Sequence, residues 1–173
     1  ILSGLVGSEM CIRDRLYTLA CAHHPNKGSN MSVECFVTGG SGFVGQHLLA
    51  ALTAQGHKTW VLMRSPGNIE RLKEQVGQLG GNPEYIHAVE GDISQEGLGL
   101  SEADKERVTS AAVFFQLAAA FSWGLTPERA RTVNVQGALS VARLAASQRI
   151  RLLMVGGFMP VSYTHLTLPT IYS

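Results

Sequence analysis

From Glu34 onward, the sequence alternates short apolar runs with longer segments in which apolar residues recur at helical spacing. The short runs are rich in β-branched and aromatic residues, which favour extended structure. They predict five strands, over residues 34–38, 58–64, 84–92, 111–119 and 150–157. The fourth run, AAVFFQLAA, is apolar along nearly its whole length, as is typical of a central parallel strand buried on both faces.

Helical segments separate these predicted strands. The first covers residues 43–56 and ends on a glycine, and the second covers residues 69–78. A third follows Ser101, which is spaced from Asp104 as in a capping box. A long fourth helix follows Thr126 as its cap. The predicted apolar faces are Val44, Leu48, Leu49 and Leu52 on the first helix, and Val133, Leu139, Val141, Leu144 and Ala145 on the fourth.

Strands that alternate with helices in this way predict an α/β fold with a doubly wound parallel sheet of the Rossmann type. The crossover connections between parallel strands are expected to be right-handed. No internal repeat interrupts the alternation. The pattern ends after the fifth predicted strand, so we expect a sheet that is truncated there.

A glycine-rich turn, VTGGSGFVG, lies where the first predicted strand gives way to the first helix. Gly39 suits a tight turn, Gly42 allows the backbone to approach a pyrophosphate, and Gly45 allows the helix to pack closely on the strand. The N–H groups at the start of the helix would hold the phosphates. The flanking strand and helix supply the context that this motif requires. The sequence therefore predicts a dinucleotide site.

Two charged residues follow later strands of the predicted sheet. Arg64 ends the second strand, where an NAD site would carry an acidic residue, and a guanidinium suits the 2′-phosphate of NADP. The alternative is a solvated arginine at a strand end. Asp92 ends the third strand and either accepts from the adenine amino group or caps a local turn. We therefore expect NADP as the preferred cofactor, with NAD as the alternative.

These features in this order resemble the extended short-chain dehydrogenase/reductase superfamily, in its NAD-dependent epimerase/dehydratase branch. The resemblance covers residues 31–160 and is carried by TGGSGFVG, GDI, FFQLAAA and NVQGALSVARLA. Members similar to dihydroflavonol reductases and hydroxysteroid dehydrogenases come nearest, since they often carry an arginine after the second strand. They also have an aromatic stretch like FSWG after the fourth.

The resemblance implies a role for twelve residues. Five would line the pyrophosphate, namely Thr38, Gly39, Gly42, Phe43 and Val44. The others would be Arg64 at the 2′-phosphate, Asp92 and Ile93 at the adenine, Leu117, Ala118 and Ala119 behind the nicotinamide ribose, and Asn134 as a brace for the active site.

The sequence also departs from the family pattern. Gln116 stands where a histidine is customary, which we expect to alter only a hydrogen bond. Gly156 and Gly157 occupy the region in which the family places a catalytic Ser or Thr. The Tyr-x-x-x-Lys pair has no counterpart, because no lysine follows Tyr163. No catalytic residue is therefore assigned.

The two termini are related through their codons. MCIRD near the start and VSYTH near the end can be encoded by opposite strands of one DNA sequence. The segments around them resemble translated adapter arms of transposase-based sequencing libraries. We expect residues 1–30 to be a non-native or disordered leader, residues 31–160 an incomplete NAD(P)-binding Rossmann domain, and residues 161–173 a non-native tail.

Composition narrows the choice of partners. The chain has 173 residues and a net charge of +1, with acidic and basic residues mixed, so nothing favours a nucleic-acid partner. No apolar run approaches the ~20 residues needed to span a bilayer. Three cysteines are too few for a disulfide framework, which favours the cytoplasm. The segment CAHH has no second pair at ligand spacing, so no metal site is expected.

We therefore expect the cofactor-binding part of an NAD(P)-dependent oxidoreductase or epimerase that acts on a carbonyl or alcohol carbon of a small-molecule substrate. The parent enzyme would transfer a hydride, whereas this fragment is expected to be inactive and poorly soluble. The alternative is a non-catalytic NADP-binding sensor on the same fold.

Overall fold

The computed structural model describes residues 32–156, and these residues form a five-stranded sheet in which every strand pair is parallel. The strands are β1 (Glu34–Thr38), β2 (Lys58–Met63), β3 (Ile86–Glu90), β4 (Val113–Gln116) and β5 (Arg151–Met154). Their order is β3-β2-β1-β4-β5. The chain thus runs outward from β1 to β3, crosses back over the sheet and continues on the other side of β1. This confirms the predicted doubly wound fold and places its switch point between β1 and β4.

The connections between strands are mainly helical. The helices are α1 (Phe43–Ala54), α2 (Ile69–Gln78), α3 (Glu102–Thr109), α4 (Pro127–Ala130) and α5 (Ala138–Ser147). A π-helical stretch, Arg131–Gly137, joins α4 to α5, so that these three pieces form one long helical connection. Short 3₁₀ turns occupy Pro66–Asn68, Pro83–Tyr85 and Glu96–Gly99.

The core lies on both faces of the sheet because neighbouring strand residues point to opposite sides. On one face, Phe36 of β1 meets Phe114 of β4 edge to face at a centroid distance of 4.9 Å. This face is covered by α3 and α5 through Val108 and Val141. The opposite face belongs to Val37 and is covered by α1 and α2. Its other buried residues are Leu49, Ala50, Val61, Met63, Leu72, Val76 and Ile86.

Two residues of the predicted apolar faces lie outside this core. Val44 and Leu139 are 56% and 43% exposed. A helix turns by about 100° per residue, so Leu139, two positions before the buried Val141, lies on the opposite side of the helix. The assignment of Leu139 to the buried face was wrong for this reason.

The residues that were predicted to cap or end the helices do so in the structure. Ser101 accepts a hydrogen bond from the N–H of Asp104 at 3.1 Å, and Thr126 accepts one from Arg129 at 3.3 Å. Gly56 follows α1 with φ of +80° and donates to Thr53, as expected of a glycine that ends a helix. β1 has the bounds that were predicted for it, whereas the other four strands are shorter than predicted. In β4 and β5 the apolar residues continue past the positions that pair with a neighbouring strand.

Several sequence expectations fall outside the described residues. They concern the leader at 1–30, the tail at 161–173, Gly157, Tyr163 and the CAHH segment. Within residues 32–156, no helix has both the length and the apolar character needed to cross a bilayer. Cys35 is buried there as a free thiol, and burial raises its pKa to about 12.

A polar cluster joins the amino ends of β1 and β2 to the residue that follows α3. The Glu34 carboxylate accepts hydrogen bonds from Trp60 Nε1 at 2.9 Å, from Ser110 Oγ at 2.8 Å and from Lys58 Nζ at 3.0 Å. The Trp60 bond is the largest contribution, followed by Ser110 and Lys58, and together they outweigh partial burial and lower the pKa of Glu34 to about 2. The folded state therefore favours the ionised carboxylate.

We predict that Glu34→Gln lowers the free energy of unfolding at about pH 7, and that the loss shrinks at about pH 3. Because the folded pKa is depressed, the stabilisation is complete above the ordinary value of 4.5 and disappears as the pH falls towards about 2. Urea unfolding at the two pH values measures both losses. Glu70→Gln, which removes a surface ion pair to Lys73, is the control and should have little effect. An equal loss for Glu34→Gln at both pH values would contradict the assignment.

Candidate functional site

The turn after β1 lies directly against the backbone that follows β4. Gly39 has φ of +73°, a conformation that favours glycine. A Cβ atom added to Gly39 would lie 2.6 Å from the backbone nitrogen of Ala118 and 2.8 Å from its Cα. No larger residue fits between these two segments, so they meet backbone to backbone.

The other two glycines of the motif differ from each other in their surroundings. Gly45 is buried in the first turn of α1, where a Cβ would overlap the carbonyl oxygen of Gly39 and lie 2.7 Å from Gly40 Cα. Gly42 has an extended backbone, with φ of −77° and ψ of 168°. The nearest atom to a Cβ at Gly42 would be the Gly39 oxygen at 3.4 Å, an ordinary contact. Gly45 is therefore required by packing, whereas Gly42 has free space beside it.

The start of α1 carries no side-chain cap, because Gly42 occupies the cap position. The first N–H groups of a helix have no partner within the helix. The amides of Phe43 and Val44 belong to this set and can bind an anion with help from the helix dipole. Their side chains are 79% and 56% exposed and do not line the cleft described next. Any role of these two residues therefore rests on their backbone N–H groups.

A cleft of about 1060 Å³ opens at the carboxyl edge of the sheet, above the switch point. It is bordered by the ends of β1, β2, β3 and β4 and by the beginning of the long helix. Eight of the twelve predicted site residues line it: Gly39, Gly42, Arg64, Asp92, Ile93, Leu117, Ala118 and Ala119. A smaller cavity of about 470 Å³ lies at the amino edge, where the Lys58–Glu34 ion pair lines it.

Thr38 lies beneath the cleft rather than in its wall. Its hydroxyl is buried and donates to the side-chain oxygen of Gln116, whose Nε2 donates to the carbonyl of Ala118 at 2.9 Å. The N–H of Ala118 in turn donates to Thr38 Oγ1 at 3.4 Å. Thr38 and Gln116 therefore fix the position of Ala118, which lies against Gly39. The substitution of glutamine for histidine thus keeps a buried hydrogen-bonding residue at this position.

Asn134 also acts on the loop after β4. Its Oδ1 accepts from the N–H of Ala120 at 2.7 Å, and its Nδ2 donates to the carbonyl of the same residue at 3.1 Å. Both polar groups of one peptide residue are thus satisfied by one side chain. Asn134 lies in the π-helical stretch and does not line the cleft, so it supports the loop instead of contacting a ligand there.

Asp92 is held by a local turn. Its Oδ1 accepts from the backbone N–H of Ser94 at 2.8 Å and from the Ser94 hydroxyl at 2.7 Å. These bonds lower the pKa of Asp92 below its usual range, and the charges of Arg64 and Arg129 lower it further. The carboxylate is therefore ionised at neutral pH, and its other oxygen makes no hydrogen bond within residues 32–156. The local cap and the adenine contact are compatible with each other.

Ile93 offers less to the cleft than its residue type suggests. Its side chain is 8% exposed and packs in the core, where a Cβ at Gly137 would lie 2.6 Å from it. Only the backbone of Ile93 and a small part of its side chain are therefore exposed at the wall of the cleft.

Sequence reasoning missed several polar residues that line the cleft. They are Ser41, Ser65, Asn68, Ser94, Thr126, Glu128, Arg129 and Thr132. Four of the eight, Ser41, Ser65, Asn68 and Ser94, come within a few residues of strands whose carboxyl ends share one edge, and the other four lie at the start of the long helix. Arg129 is the most distinctive because it is a second guanidinium in the same cleft as Arg64. The sequence feature that could have indicated Arg129 is its position at the start of the helix that follows β4.

Comparison with known proteins agrees with this geometry. An NAD-binding family model described as "Male sterility protein" matches residues 37–162, which contain the glycine turn and the residues lining the cleft. The chain belongs to this NAD-binding family. The resemblance to short-chain dehydrogenases/reductases and NAD-dependent epimerases is thereby confirmed, and the residues that line the cleft all fall within the matched range.

This chain is similar to two curated proteins. It is 34% identical over 119 residues to the PKS-NRPS hybrid synthetase cheA of Chaetomium globosum, with coverage of 67% of this chain and 2% of that protein. It is also 34% identical over 116 residues to 4-hydroxy-2-methyl-3-oxo-4-farnesyl-3,4-dihydroquinoline-1-oxide ketoreductase of Stigmatella aurantiaca, covering 67% of this chain and 30% of that protein. The chain therefore spans less than a third of either relative.

A solved structure of similar architecture is the terminal R domain from the myxalamid PKS-NRPS biosynthetic pathway. The TM-score is 0.64 at 28% identity, with coverage of 78% of this chain and 36% of that one. The chain spans about a third of the R domain.

We predict that Gly45→Ala destabilises the fold by about 1–3 kcal/mol, because the new methyl group overlaps backbone atoms of Gly39 and Gly40. In an unobstructed helix the same change would stabilise by roughly 0.5–1 kcal/mol. Thermal unfolding followed by circular dichroism measures the difference. Gly67→Ala, where nothing lies within 4 Å, is the matched control. Gain of stability in Gly45→Ala would contradict the packing role.

Proposed function

We propose that this protein is the cofactor-binding part of an NADP(H)-dependent oxidoreductase or epimerase that acts on a carbonyl or alcohol carbon of a small-molecule substrate. One observation carries the proposal. The glycine turn of the first crossover and Arg64 at the end of β2 line one cleft at the switch point of the sheet. In open α/β sheets this is where dinucleotides bind.

The fit of a pyrophosphate rests on Gly42. Its backbone torsions are accessible to any residue, and the protein itself leaves room for a Cβ there. The absence of a side chain at Gly42 therefore keeps the space in front of the turn empty, and this space opens into the cleft. The uncapped N–H groups at the start of α1 point out of the amino end of the helix and supply donors for phosphate oxygens.

The preference for NADP rests on Arg64. Its side chain is exposed and lines the cleft together with Ser65 and Asn68, so three neighbouring side chains offer hydrogen-bond donors. No carboxylate takes the position after β2 that would bind a ribose 2′-hydroxyl. A guanidinium with flanking hydroxyl and amide donors suits a phosphate.

The relatives support the class of reaction. One is named a ketoreductase, and a similar solved structure is the terminal R domain of a biosynthetic pathway. A bound nicotinamide supplies a hydride for a carbonyl carbon or accepts one from an alcohol carbon. The residues of this chain bind the dinucleotide and hold the loop after β4 in place through Thr38, Gln116 and Asn134.

The alternative function, a non-catalytic NADP-binding sensor, shares this cofactor site. It differs in the residues that follow β5, where the Tyr-x-x-x-Lys pair of the enzyme family belongs, and these lie outside the described residues. A cytoplasmic location, the absence of a nucleic-acid partner and the action on a small molecule remain parts of the proposal.

We predict that Gly42→Ala lowers the melting temperature by a few degrees at most, since alanine caps a helix less well than glycine, but weakens NADPH binding by about tenfold or more, because the added methyl group occupies the space proposed for the pyrophosphate. Titration of the full chain by intrinsic fluorescence or calorimetry measures the affinity. Gly67→Ala should change neither quantity. Unaltered NADPH affinity in a folded Gly42→Ala variant would contradict the placement of the pyrophosphate.

We predict that the unaltered chain binds NADPH more tightly than NADH, and that Arg64→Ala weakens NADPH binding by about 10- to 100-fold with little effect on NADH. Loss of a charge-assisted contact of about 1.5–3 kcal/mol accounts for this range. Arg143→Ala is the matched control, because Arg143 is exposed on α5 and does not line the cleft. Equal affinity of the unaltered chain for both dinucleotides would refute the assignment of Arg64.

A further inference from the structure

Arg129 is a second guanidinium in the cleft, and the roles assigned so far do not use it. It is exposed, lines the cleft and lies in the first turn of α4. Within residues 32–156, its guanidinium makes no ion pair and no hydrogen bond.

Local stability does not account for Arg129 at this position. The amino end of a helix carries a partial positive charge, which disfavours a cation in the first turn. Thr126 and Glu128 suit this helix start, since the first caps it and the second carries the favourable charge. Arg129 has the opposite charge and forms no ion pair among the described residues; its charge acts on Asp92 only from beyond ion-pair distance.

The position of Arg129 on the helix directs it to one corner of the cleft. Residues three and four apart share a helix face, and Thr132 and Val133 also line the cleft. Val133 packs against the core group that contains Ile93, and a Cβ at Gly137 would touch Ile93 directly. This face of the helix therefore lies over the segment that follows β3. Arg129 lies on the same face, one turn before the residue at which the helix contacts that segment.

The surroundings of the two arginines differ. Arg64 shares its wall with Ser65 and Asn68, whose side chains can donate hydrogen bonds. Arg129 shares its helix face with the apolar Val133 and with Thr132, whose hydroxyl already donates to the carbonyl of Glu128 at 2.9 Å. The carboxylate of Asp92 belongs to the corner that Arg129 covers, and it repels phosphate groups while accepting from an amino group. An aromatic base with an exocyclic amino group fits this corner better than a second phosphate.

We propose that Arg129 binds the adenine base of the dinucleotide, with its guanidinium plane stacked on one face of the ring above the Asp92–Ile93 corner. This inference rests on the proposed function. Arginine suits the role because its planar and weakly hydrated cation stacks on aromatic faces. Arg129 is thus a cofactor-binding residue of a different kind from Arg64, since it recognises a group that NADPH and NADH share.

The test compares the binding of NADPH and NADH by the full chain and three variants. Arg129→Ala is expected to weaken both dinucleotides by the same factor of about tenfold. Arg129→Lys keeps the charge but loses the plane, so it should remain weakened for both. Arg131→Ala is the matched control, because Arg131 is an exposed neighbour on the same helical connection that does not line the cleft, and it should bind as the unaltered chain does.

Each other outcome overturns a specific statement. Loss of NADPH binding alone in Arg129→Ala would show a second phosphate contact and refute the adenine assignment. Full recovery in Arg129→Lys would show that charge, rather than stacking, is responsible. Unchanged binding in Arg129→Ala would remove Arg129 from the site while leaving the proposed function intact. Failure of the folded, unaltered chain to bind either dinucleotide would refute the proposed function, and this inference with it.

Discussion

The arrangement of the whole site depends on the contact between the backbone at Gly39 and the backbone at Ala118. The two segments follow β1 and β4, the neighbouring strands at which the sheet order reverses, and no Cβ fits between them. Gly45 extends the same constraint to α1, whose first turn lies on the Gly39 carbonyl. The cleft therefore has a fixed floor, and its depth is set by the absence of side chains.

Buried polar groups then hold the loop after β4 against this floor. Thr38 and Gln116 engage both backbone groups of Ala118, while Asn134 engages both backbone groups of Ala120. A loop that lacks regular secondary structure has its backbone hydrogen bonds satisfied by side chains from three different elements, which limits its motion. The residues that support the site are thus distinct from those that line it.

Much of this was predictable from the sequence, because the strand and helix periods, the caps and the glycine turn are local signals. Ile69–Gln78 was predicted with its observed bounds, and the predicted family is confirmed. The exposure of Phe43 and Val44, and the burial of Thr38 beneath the cleft, were not predictable in this way. These depend on how one element lies on another. Periodicity alone does not reveal that, and the error at Leu139 came from taking an apolar residue as a buried one without testing its helical angle.

The charges of the cleft indicate how a ligand is selected there. Among the described residues that line it, two cations, Arg64 and Arg129, stand with two carboxylates, Asp92 and Glu128. Their sum is zero, so the wall exerts no strong overall field on a polyanionic dinucleotide, and the net charge of +1 for the chain adds little. If the proposed function holds, affinity comes from directed contacts, namely helix N–H groups at one point and individual guanidinium groups at others. A site of this kind distinguishes nucleotides by the position of each group rather than by their total charge.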